Sequence, residues 1–596
     1  MNWNLSVARH HATEAIIGAP VRAKDSSNAG QSDGLATTTL ARSRRNVPAL
    51  ILSAALLYWS FQVAWFWRYC EHNINADAIS YIGIARHLAD GNFRASLHGY
   101  WSPLISWSLV ATSFAGHDPT LAARRLMLVF FALSMALIFA LTQKLWGSRY
   151  LSALAVLWFT ASRGMAAFSV YFIGADLLLT AAVLLYFILL LECLEHPRHV
   201  SGWLLLGVIH GLAFLAKAVA LPLLACTTLP ASIWSCNGNR RQGFRNLVVA
   251  AVFPILVWAA WGMSLRTKYG VFTTGYQLRW NLIDPQVKKT HRAARELGAL
   301  VATDTTYDQY MVADVMPPGS RFWNAKVFTR SLVPQVLHNE RTNIPQACKE
   351  LLVLLTPGGL LALLICVWRL GQKCATSRVR FHFALAALCT TAALVAAYGM
   401  LVFDGRYVIP VSAVLISLSV GFCAPVSGTS INREHDQTTA HWRLALVSLI
   451  VLGLLSVQFY WGSPFRTIRQ DYQRSIYQAA DLLRKDGARR VVSVGEGPYP
   501  EHGVGWEAGP YSAYFSGSKI IAAAFTPPLA STLAPIIGDI HTLSPDAVMI
   551  WGSPLDSNYS TLVQKLGRTS SQWSSTRVAI RDPYKGEVGT IFLHID

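Results

Sequence analysis

Long apolar stretches recur along this chain, and they constrain its fold more than any other feature. A helix needs about 20 apolar residues to cross the hydrocarbon core of a bilayer. Only 14% of the 596 residues are charged, whereas soluble proteins average roughly 25%. Eleven stretches are predicted to span the membrane: Val47–Trp67, Leu126–Trp146, Tyr150–Phe168, Leu177–Leu194, Gly202–Ala216, Ala218–Trp234, Asn246–Leu265, Leu351–Trp368, Phe381–Phe403, Tyr407–Ala424 and Leu444–Trp461. The sequence therefore predicts a polytopic α-helical membrane protein.

The net charge of +19 is distributed as membrane insertion requires. With a cytoplasmic N-terminus, the short inner loops hold many of the basic residues, among them Arg42, Arg44, Arg45, Lys144, Arg149, Arg198, Arg240, Arg241, Arg245, Arg369, Lys373, Arg378, Arg380, Arg433 and Arg443. The outer hairpins near residues 169–176 and 404–406 hold almost none. This asymmetry follows the positive-inside rule. We therefore expect membrane lipids as partners and no nucleic acid.

The chain is predicted to have three parts. Residues 1–46 are polar and rich in Ser, Thr and Ala, a composition typical of a disordered leader, here cytoplasmic. Residues 47–461 form the membrane part, with outer loops at 68–125 and 266–349. The second loop exceeds the roughly 15 residues above which a structureless connection is uncommon. Residues 462–596 form the third part.

The third part is expected to be a small α/β domain on the outer side, because the number of predicted spans is odd. Tyr472–Lys485 has the pattern of an amphipathic helix. Strands are predicted at Arg490–Val494, Lys519–Ala524, Ala547–Trp551 and Thr590–His594. In one interpretation the domain is a lid over the membrane part or a platform that binds an acceptor substrate. In the other it is an appendage that stabilises the membrane part.

Asp77 is the strongest candidate for a chemical role. It follows the first predicted span and begins an apolar-striped segment that ends at Gly91. A carboxylate at the edge of a bilayer costs free energy unless it has a partner or a function. Here it can serve as a general base. The alternative is a helix N-cap, for which Asn75 or Asp77 would be suitable.

Asp176 lies in the next predicted outer hairpin, directly before a long apolar run. It too can be either a functional carboxylate or a helix cap. Both acids are expected on the outer face at similar depth. Two unrelated helix caps would not need to share that depth, so the coincidence favours a common site with Asp77 and Asp176 as catalytic candidates.

Three basic residues are candidates for binding a phosphate: Lys217, Arg406 and Arg163. Lys217 lies between two apolar spans with little loop around it, where an ammonium can bind phosphate as a point charge. The alternative is that Lys217 only extends to the interface. Arg406 can likewise pair with Asp404.

Aromatic residues accompany these charges. The candidates for sugar or acceptor contacts are Tyr81, Tyr100, Trp101 and Tyr407. Membrane anchoring is the alternative for residues of this type. A divalent metal is a further candidate, since His87 and His98 could bind one together with Asp77, although their spacing is not diagnostic.

A set of short motifs follows in order from about Val47 to Ala424. They are Asp77-x3-Tyr81-x3-Ala85 with Gly91, Pro103-Leu104, Leu121-x3-Arg125-Leu126, Asp176-Leu-Leu, Gly211-Leu-x4-Lys217 and Arg406-Tyr407-x2-Pro410. As an ordered set they resemble the GT-C superfamily of integral-membrane glycosyltransferases. The bacterial branch related to protein O-mannosyltransferases and aminoarabinose transferases is the most similar.

This resemblance implies a polyprenyl-phosphate-linked sugar donor and an active cavity on the outer face of a bacterial inner membrane. It implies that Asp77 is the base and that Lys217 or Arg406 lies near the donor phosphate. Attack opposite the leaving group would invert the anomeric centre, and the acceptor would be a lipid, glycan or protein. Unlike the mannosyltransferase pattern, Asp77 is not directly followed by a second acid, and Gly99-Tyr-Trp-Ser replaces the commoner loop.

A transporter or a flippase for lipid-linked sugars is the alternative function. Such a protein is expected to bury its charges in the middle of its spans and to have paired, interrupted helices in two halves. In this sequence the notable charges gather at one face and no halves repeat, which favours an enzyme. A third interpretation makes the membrane part a scaffold for the C-terminal domain.

Overall fold

The computed structural model describes most of the chain outside the N-terminus and several loops. The described residues are 31–70, 74–113, 119–162, 165–236, 239–275, 277–282, 301–302, 325–372, 374–401, 404–423, 474–494, 505–524, 533–552, 557–569, 573–579 and 588–594.

Helices make up the described membrane part. In chain order they are α1 (Gln31–Cys70), α2 (Ala76–Ala89), α3 (Phe93–Ser96), α4 (Leu104–Ser113), α5 (Pro119–Trp146), α6 (Arg149–Ala161), α7 (Met165–Tyr171), α8 (Asp176–Glu195), α9 (Val200–Ala216), α10 (Ala220–Trp234), α11 (Arg240–Tyr269), α12 (Gln277–Leu282), α13 (Ala325–Gln372), α14 (Cys374–Met400) and, after a 3-10 turn at Gly405–Val408, α15 (Ile409–Ser419). Within the described ranges, seven helical segments are long and apolar enough to cross a membrane, and α6, α9 and α10 are shorter apolar helices. The chain is a multi-pass membrane protein.

Ten of the eleven predicted spans overlap these helices. Within Leu351–Trp368, α13 is kinked at Thr356, whose backbone angles are not helical. The stretch Tyr150–Phe168 is divided between α6 and α7, because Ser162 leaves the helical conformation after α6. The last predicted span, Leu444–Trp461, lies outside the described residues.

The start of α1 corrects the predicted leader. The sequence predicts disorder over residues 1–46, but α1 already begins at Gln31. Residues 40–45 include Leu, Ala and three Arg, which are good helix formers. Extending an existing helix costs far less than nucleating one, so the apolar span propagates its helix upstream. Residues 1–30 lie outside the described part.

A six-stranded sheet forms the centre of the C-terminal region. Its strands are β1 (Val301–Ala302), β2 (Arg490–Val494), β3 (Lys519–Ala524), β4 (Ala547–Gly552), β5 (Trp573–Ala579) and β6 (Val588–His594), in the spatial order β1-β3-β2-β4-β6-β5. The central strands β3, β2 and β4 are parallel. The predicted fold class, a helical membrane part with a small C-terminal α/β region, is confirmed. β5 and β1 were not predicted.

Helices cover both faces of this sheet. They are α16 (Arg474–Lys485), α17 (Gly505–Ser516), α18 (Leu533–Leu543) and α19 (Ser557–Thr569). Alternate residues of a strand point to opposite faces. Met549 of β4 therefore belongs to the core shared with α16 and α17, whereas its neighbour Ile550 packs with Ile536 of α18 and Leu562 of α19.

The strand β1 comes from the predicted outer loop 266–349. It pairs antiparallel with β3, Val301 opposite Ala523 and Ala302 opposite Ala522. A strand with only two residues could not be recognised from the sequence, because its stability comes from its partner strand. Residues 301–302 of this loop are therefore part of the sheet.

The helix α17 connects this α/β region to the membrane part. The Tyr514 hydroxyl lies 2.8 Å from the Thr120 hydroxyl at the start of α5. The guanidinium of Arg86, on α2, lies 5.0 Å from the centre of the Tyr514 ring. α17 thus contacts the same helix that carries Asp77.

Glycines allow α9 and α11 to pack closely. A Cβ atom on Gly207 would overlap the carbonyl oxygen of Ala250, and one on Gly211 would meet the Phe253 ring at 2.7 Å. Small residues four apart on one face let two membrane helices approach.

We expect Gly207→Ala to destabilise the protein by about 1–3 kcal/mol, because a backbone oxygen cannot move aside as a flexible side chain can. The measurement is thermal unfolding in detergent. Gly202→Ala, on the same helix, is the matched control, since its new Cβ would meet only the Cys193 sulfur at 3.4 Å. Equal melting temperatures for both variants would contradict the close packing.

Candidate active site

Asn75 brings the starts of α2 and α8 together. Its side-chain Nδ2 donates to the Ile173 carbonyl at 2.9 Å, and its Oδ1 accepts from the Ile173 N–H at 2.9 Å. Asn75 is the N-cap residue of α2, as one alternative predicted, but its side chain makes no capping hydrogen bond to that helix. Because Ile173 lies three residues before Asp176, this reciprocal pair places Asp77 and Asp176 side by side.

Asp77 pairs with Arg406. Its Oδ2 lies 2.7 Å from Arg406 Nη1, and the two side chains are 22% and 15% exposed. Burial raises the pKa of the Asp77 carboxyl above its usual value, while the Arg406 charge acts in the opposite direction. The carboxylate thus faces a guanidinium in a largely water-excluded place, where charge-assisted hydrogen bonds are strong.

Asp176 pairs with Lys217. The ammonium lies 2.6 Å from Asp176 Oδ1, and the Asp176 side chain is only 4% exposed. Asp176 makes no capping bond to its own helix, since Ala175 is the N-cap residue of α8. Lys217 ends α9 in an extended conformation, which directs it away from the helix axis. The Lys217 side chain is thus turned towards Asp176 and is 13% exposed.

Arg406 connects the two pairs and has a third carboxylate beside it. Its Nε lies 3.8 Å from Asp176 Oδ2 and 3.1 Å from Asp404 Oδ2. Asp404 also accepts a hydrogen bond from the Arg406 backbone N–H at 3.2 Å. In the described residues the buried Nε–H of Arg406 makes no well-aligned hydrogen bond. The site thus holds three carboxylates and two cations.

Two stacked tyrosines lie against Lys217. The ammonium is 4.0 Å from the Tyr407 ring centre and 5.5 Å from that of Tyr398, and the two rings stack at 4.1 Å. A cation over aromatic faces is stabilised by their quadrupoles. Tyr398 is buried, and its hydroxyl has no hydrogen-bond partner among the described residues. The sequence did not single out Tyr398, because it lies within an apolar span.

The loop before α4 supplies an aromatic wall. His98 is buried, and its Nδ1 accepts from the backbone N–H groups of Tyr100 and Trp101 at 3.0 and 3.1 Å. The Trp101 ring lies 4.8 Å from the Tyr100 ring and 5.2 Å from the Tyr81 ring. Ser102 Oγ accepts from the Ala218 N–H at 3.2 Å, which fixes the loop beside Lys217.

Together these side chains enclose a small cavity of about 50 Å³. The residues that line it are Asp77, Tyr81, Tyr100, Trp101, Ser102, Ala175, Asp176, Lys217, Gln277, Arg406 and Tyr407. Gln277, from α12, was missed, although the polar and aromatic character of its segment was a weak signal. The cavity has room for a few water molecules and would have to open for a larger ligand.

Almost all the predicted site residues therefore lie at one place. The structure brings both acids, Lys217, Arg406 and the four aromatic candidates around one cavity. Arg163 lies outside the described residues. Among the described residues, no group of three His, Cys, Asp or Glu side chains is arranged to hold a metal. His98 uses its Nδ1 for the loop instead.

The fold is also found in solved structures. The oligosaccharyltransferase of Archaeoglobus fulgidus, solved with Zn and sulfate, superposes with a TM-score of 0.50 at 13% identity, over 84% of this chain and 67% of that chain. The chain thus shares the fold of this archaeal oligosaccharyltransferase.

ArnT from Cupriavidus metallidurans gives TM-scores of 0.47 with undecaprenyl phosphate bound and 0.48 without ligand. Both are 13% identical and cover 91% of this chain and 97% of that chain. No family model matches the chain, and no curated protein matches it by sequence.

We expect His98 to make the protein less stable in acid. Burial, together with the nearby Lys268 charge, holds the pKa of His98 well below its usual range. As the pH falls below about 6.5, His98 therefore becomes protonated in the unfolded chain but not in the folded one. The free energy of unfolding then falls by up to about 1.4 kcal/mol per pH unit. In His98→Asn, the side-chain oxygen can still accept the loop hydrogen bonds, but it does not titrate.

The measurement is thermal unfolding of both proteins in detergent at pH 7.5 and pH 5. The wild type is expected to lose more stability between the two pH values than His98→Asn does. Equal losses would show that His98 does not resist protonation in the folded state.

Proposed function

We propose that this protein is a glycosyltransferase that moves a sugar from a polyprenyl-phosphate donor to an acceptor hydroxyl at the outer face of the membrane. The observation that supports this most is the joining of two carboxylates and two cations in one cavity lined by aromatic side chains. Sugar transfer from a phosphate needs both a base and a positive group at the leaving oxygen. The GT-C fold is consistent with this chemistry.

In the proposed reaction, Asp77 accepts the proton of the acceptor hydroxyl as the acceptor oxygen forms a bond to the anomeric carbon. The bond from that carbon to the phosphate oxygen breaks, and its electron pair stays on the phosphate. The products are the glycosylated acceptor and polyprenyl phosphate. Attack from the face opposite the phosphate inverts the anomeric centre.

Arg406 and Lys217 are the proposed partners of the donor phosphate. A guanidinium binds two oxygens at once, and an ammonium adds a compact charge. Asp176 holds Lys217 at 2.6 Å and would orient it or the acceptor. Tyr81, Tyr100, Trp101 and Tyr407 present rings and hydroxyls on which a sugar can stack and bind.

The position of the charges supports an enzyme over a flippase. Asp77 lies at the first turn of α2, Asp176 begins α8, Lys217 follows the end of α9, and Arg406 precedes α15. All four thus lie at helix ends, where a cavity can open to one side. We propose that this side is the outer face of a bacterial inner membrane and that the α/β region lies on the same side.

Mass spectrometry of lipid-linked sugars and envelope glycans, in cells with and without the gene, tests the function. We expect the deletion strain to accumulate one carrier-linked sugar and to lack one modified lipid, glycan or protein. The accumulated species would identify the donor and the missing product the acceptor. Unchanged pools of every carrier-linked sugar would contradict the proposal.

Asp77→Asn, expressed in the deletion strain, tests the proposed role of Asp77 as the base. The amide keeps the size of the side chain but cannot take the proton, so we expect transfer to fall by at least about 100-fold while the protein still inserts. The measurement is restoration of the missing product by plasmid-borne variants at matched membrane levels. Asp90→Asn, an exposed acid at the other end of α2, should restore it fully. Restoration at the wild-type rate by Asp77→Asn would exclude Asp77 as the base.

A further inference from the structure

Arg406 is the most heavily shared group of the site. One nitrogen bonds Asp77 at 2.7 Å, and Nε lies 3.1 Å from Asp404 and 3.8 Å from Asp176. Lys217, the other cation, is already paired with Asp176. Neither positive group of the cavity is therefore available to a phosphate as the site stands.

We propose that a polyprenyl phosphate replaces the Asp77 carboxylate on Arg406, so that donor binding releases the base. This inference rests on the proposed function. It adds that the steps occur in a fixed order, because the donor must bind before Asp77 can act as the base. Asp404 is assigned as the positioning residue that keeps Arg406 in place during the exchange.

Charge balance requires some such exchange. Two carboxylates and two cations line the cavity, and the half-exposed Asp404 lies at its edge, so a bound phosphate gives the site a net negative charge. A like charge at close range in a poorly hydrated cavity is strongly unfavourable. The phosphate becomes tolerable when one carboxylate moves away from the cation that both need.

Asp77 is the carboxylate best able to move. Its side chain is 22% exposed, whereas that of Asp176 is 4% exposed and bonded to Lys217 at 2.6 Å. Exposure means that water, or the acceptor hydroxyl, can replace the lost hydrogen bond at little cost. The Asp176 side chain is buried, so water cannot readily replace its hydrogen bond to the Lys217 ammonium.

Asp404 is suited to hold Arg406 meanwhile. Its carboxylate binds the Arg406 backbone N–H at 3.2 Å as well as approaching the guanidinium. Its side chain is 50% exposed, so solvent screens its repulsion of the phosphate. In addition, the Nε–H of Arg406, which makes no well-aligned hydrogen bond with the described residues, is a donor that a phosphate oxygen can accept.

The exchange also tunes the base. Arg406 lowers the proton affinity of Asp77 while the two are paired, so separation makes the carboxylate more basic. A nearby phosphate charge acts in the same direction. Donor binding thus frees the Asp77 carboxylate from the Arg406 charge.

Binding of farnesyl monophosphate to the full-length protein in detergent tests the exchange, with farnesol as the uncharged control. We expect Asp77→Asn to bind farnesyl monophosphate about tenfold more tightly than the wild type, because the competing charge is gone, while farnesol binds both equally. The same variant should fail in sugar transfer. A residue with only a structural role would not combine tighter binding with lost transfer.

Asp90→Asn is the charge-matched control, and it should leave farnesyl monophosphate binding unchanged. Asp77→Ser repeats the test with a smaller neutral side chain should the amide variant melt below the wild type. Binding by both Asp77 variants that is no tighter than that of the wild type would overturn the exchange, as would equal tightening by Asp90→Asn. If the wild type bound farnesyl monophosphate no better than farnesol, the proposed function itself would fail.

Discussion

The pairing of carboxylates with cations between helix ends is the interaction on which one end of this helical membrane part depends. Asp77 and Arg406 are 329 residues apart in the chain, and Asp176 and Lys217 are 41 apart. Breaking a buried pair by removing one partner costs roughly 3–5 kcal/mol. The two pairs therefore fix the starts of α2, α8 and α15 and the end of α9 relative to one another. The same interactions that stabilise this end of the helices also position the groups for chemistry.

The apolar part needs no such specific contacts to be predictable. Bilayer thickness sets the length of a span, so hydropathy alone located both ends of α8 to within one residue. The residue types Asp77, Asp176, Lys217 and Arg406 were also visible in the sequence, because a charge beside an apolar span is costly. What the sequence left open was whether the acids cap helices, and the contacts of Asn75, Asp77 and Asp176 decide that question.

The missed features share a physical cause, which is that their roles arise only from distant contacts. Tyr398 resembles any aromatic residue of an apolar span until Lys217 and Tyr407 lie against it. Gln277 is an ordinary polar residue until α12 lies at the cavity. β1 has two residues and exists because β3 offers an edge. The local sequence pattern does not show which distant residues such a residue or strand will contact.

The α/β region is connected to the site at two places, and these connections bear on its role. Tyr514 contacts Arg86 on the helix that carries Asp77, and β1 joins the sheet to the outer loop that also contains Gln277. Both contacts lie on elements that form the cavity, α2 through Asp77 and the loop through Gln277. A lid or acceptor platform requires contacts of this kind with the elements that form the cavity.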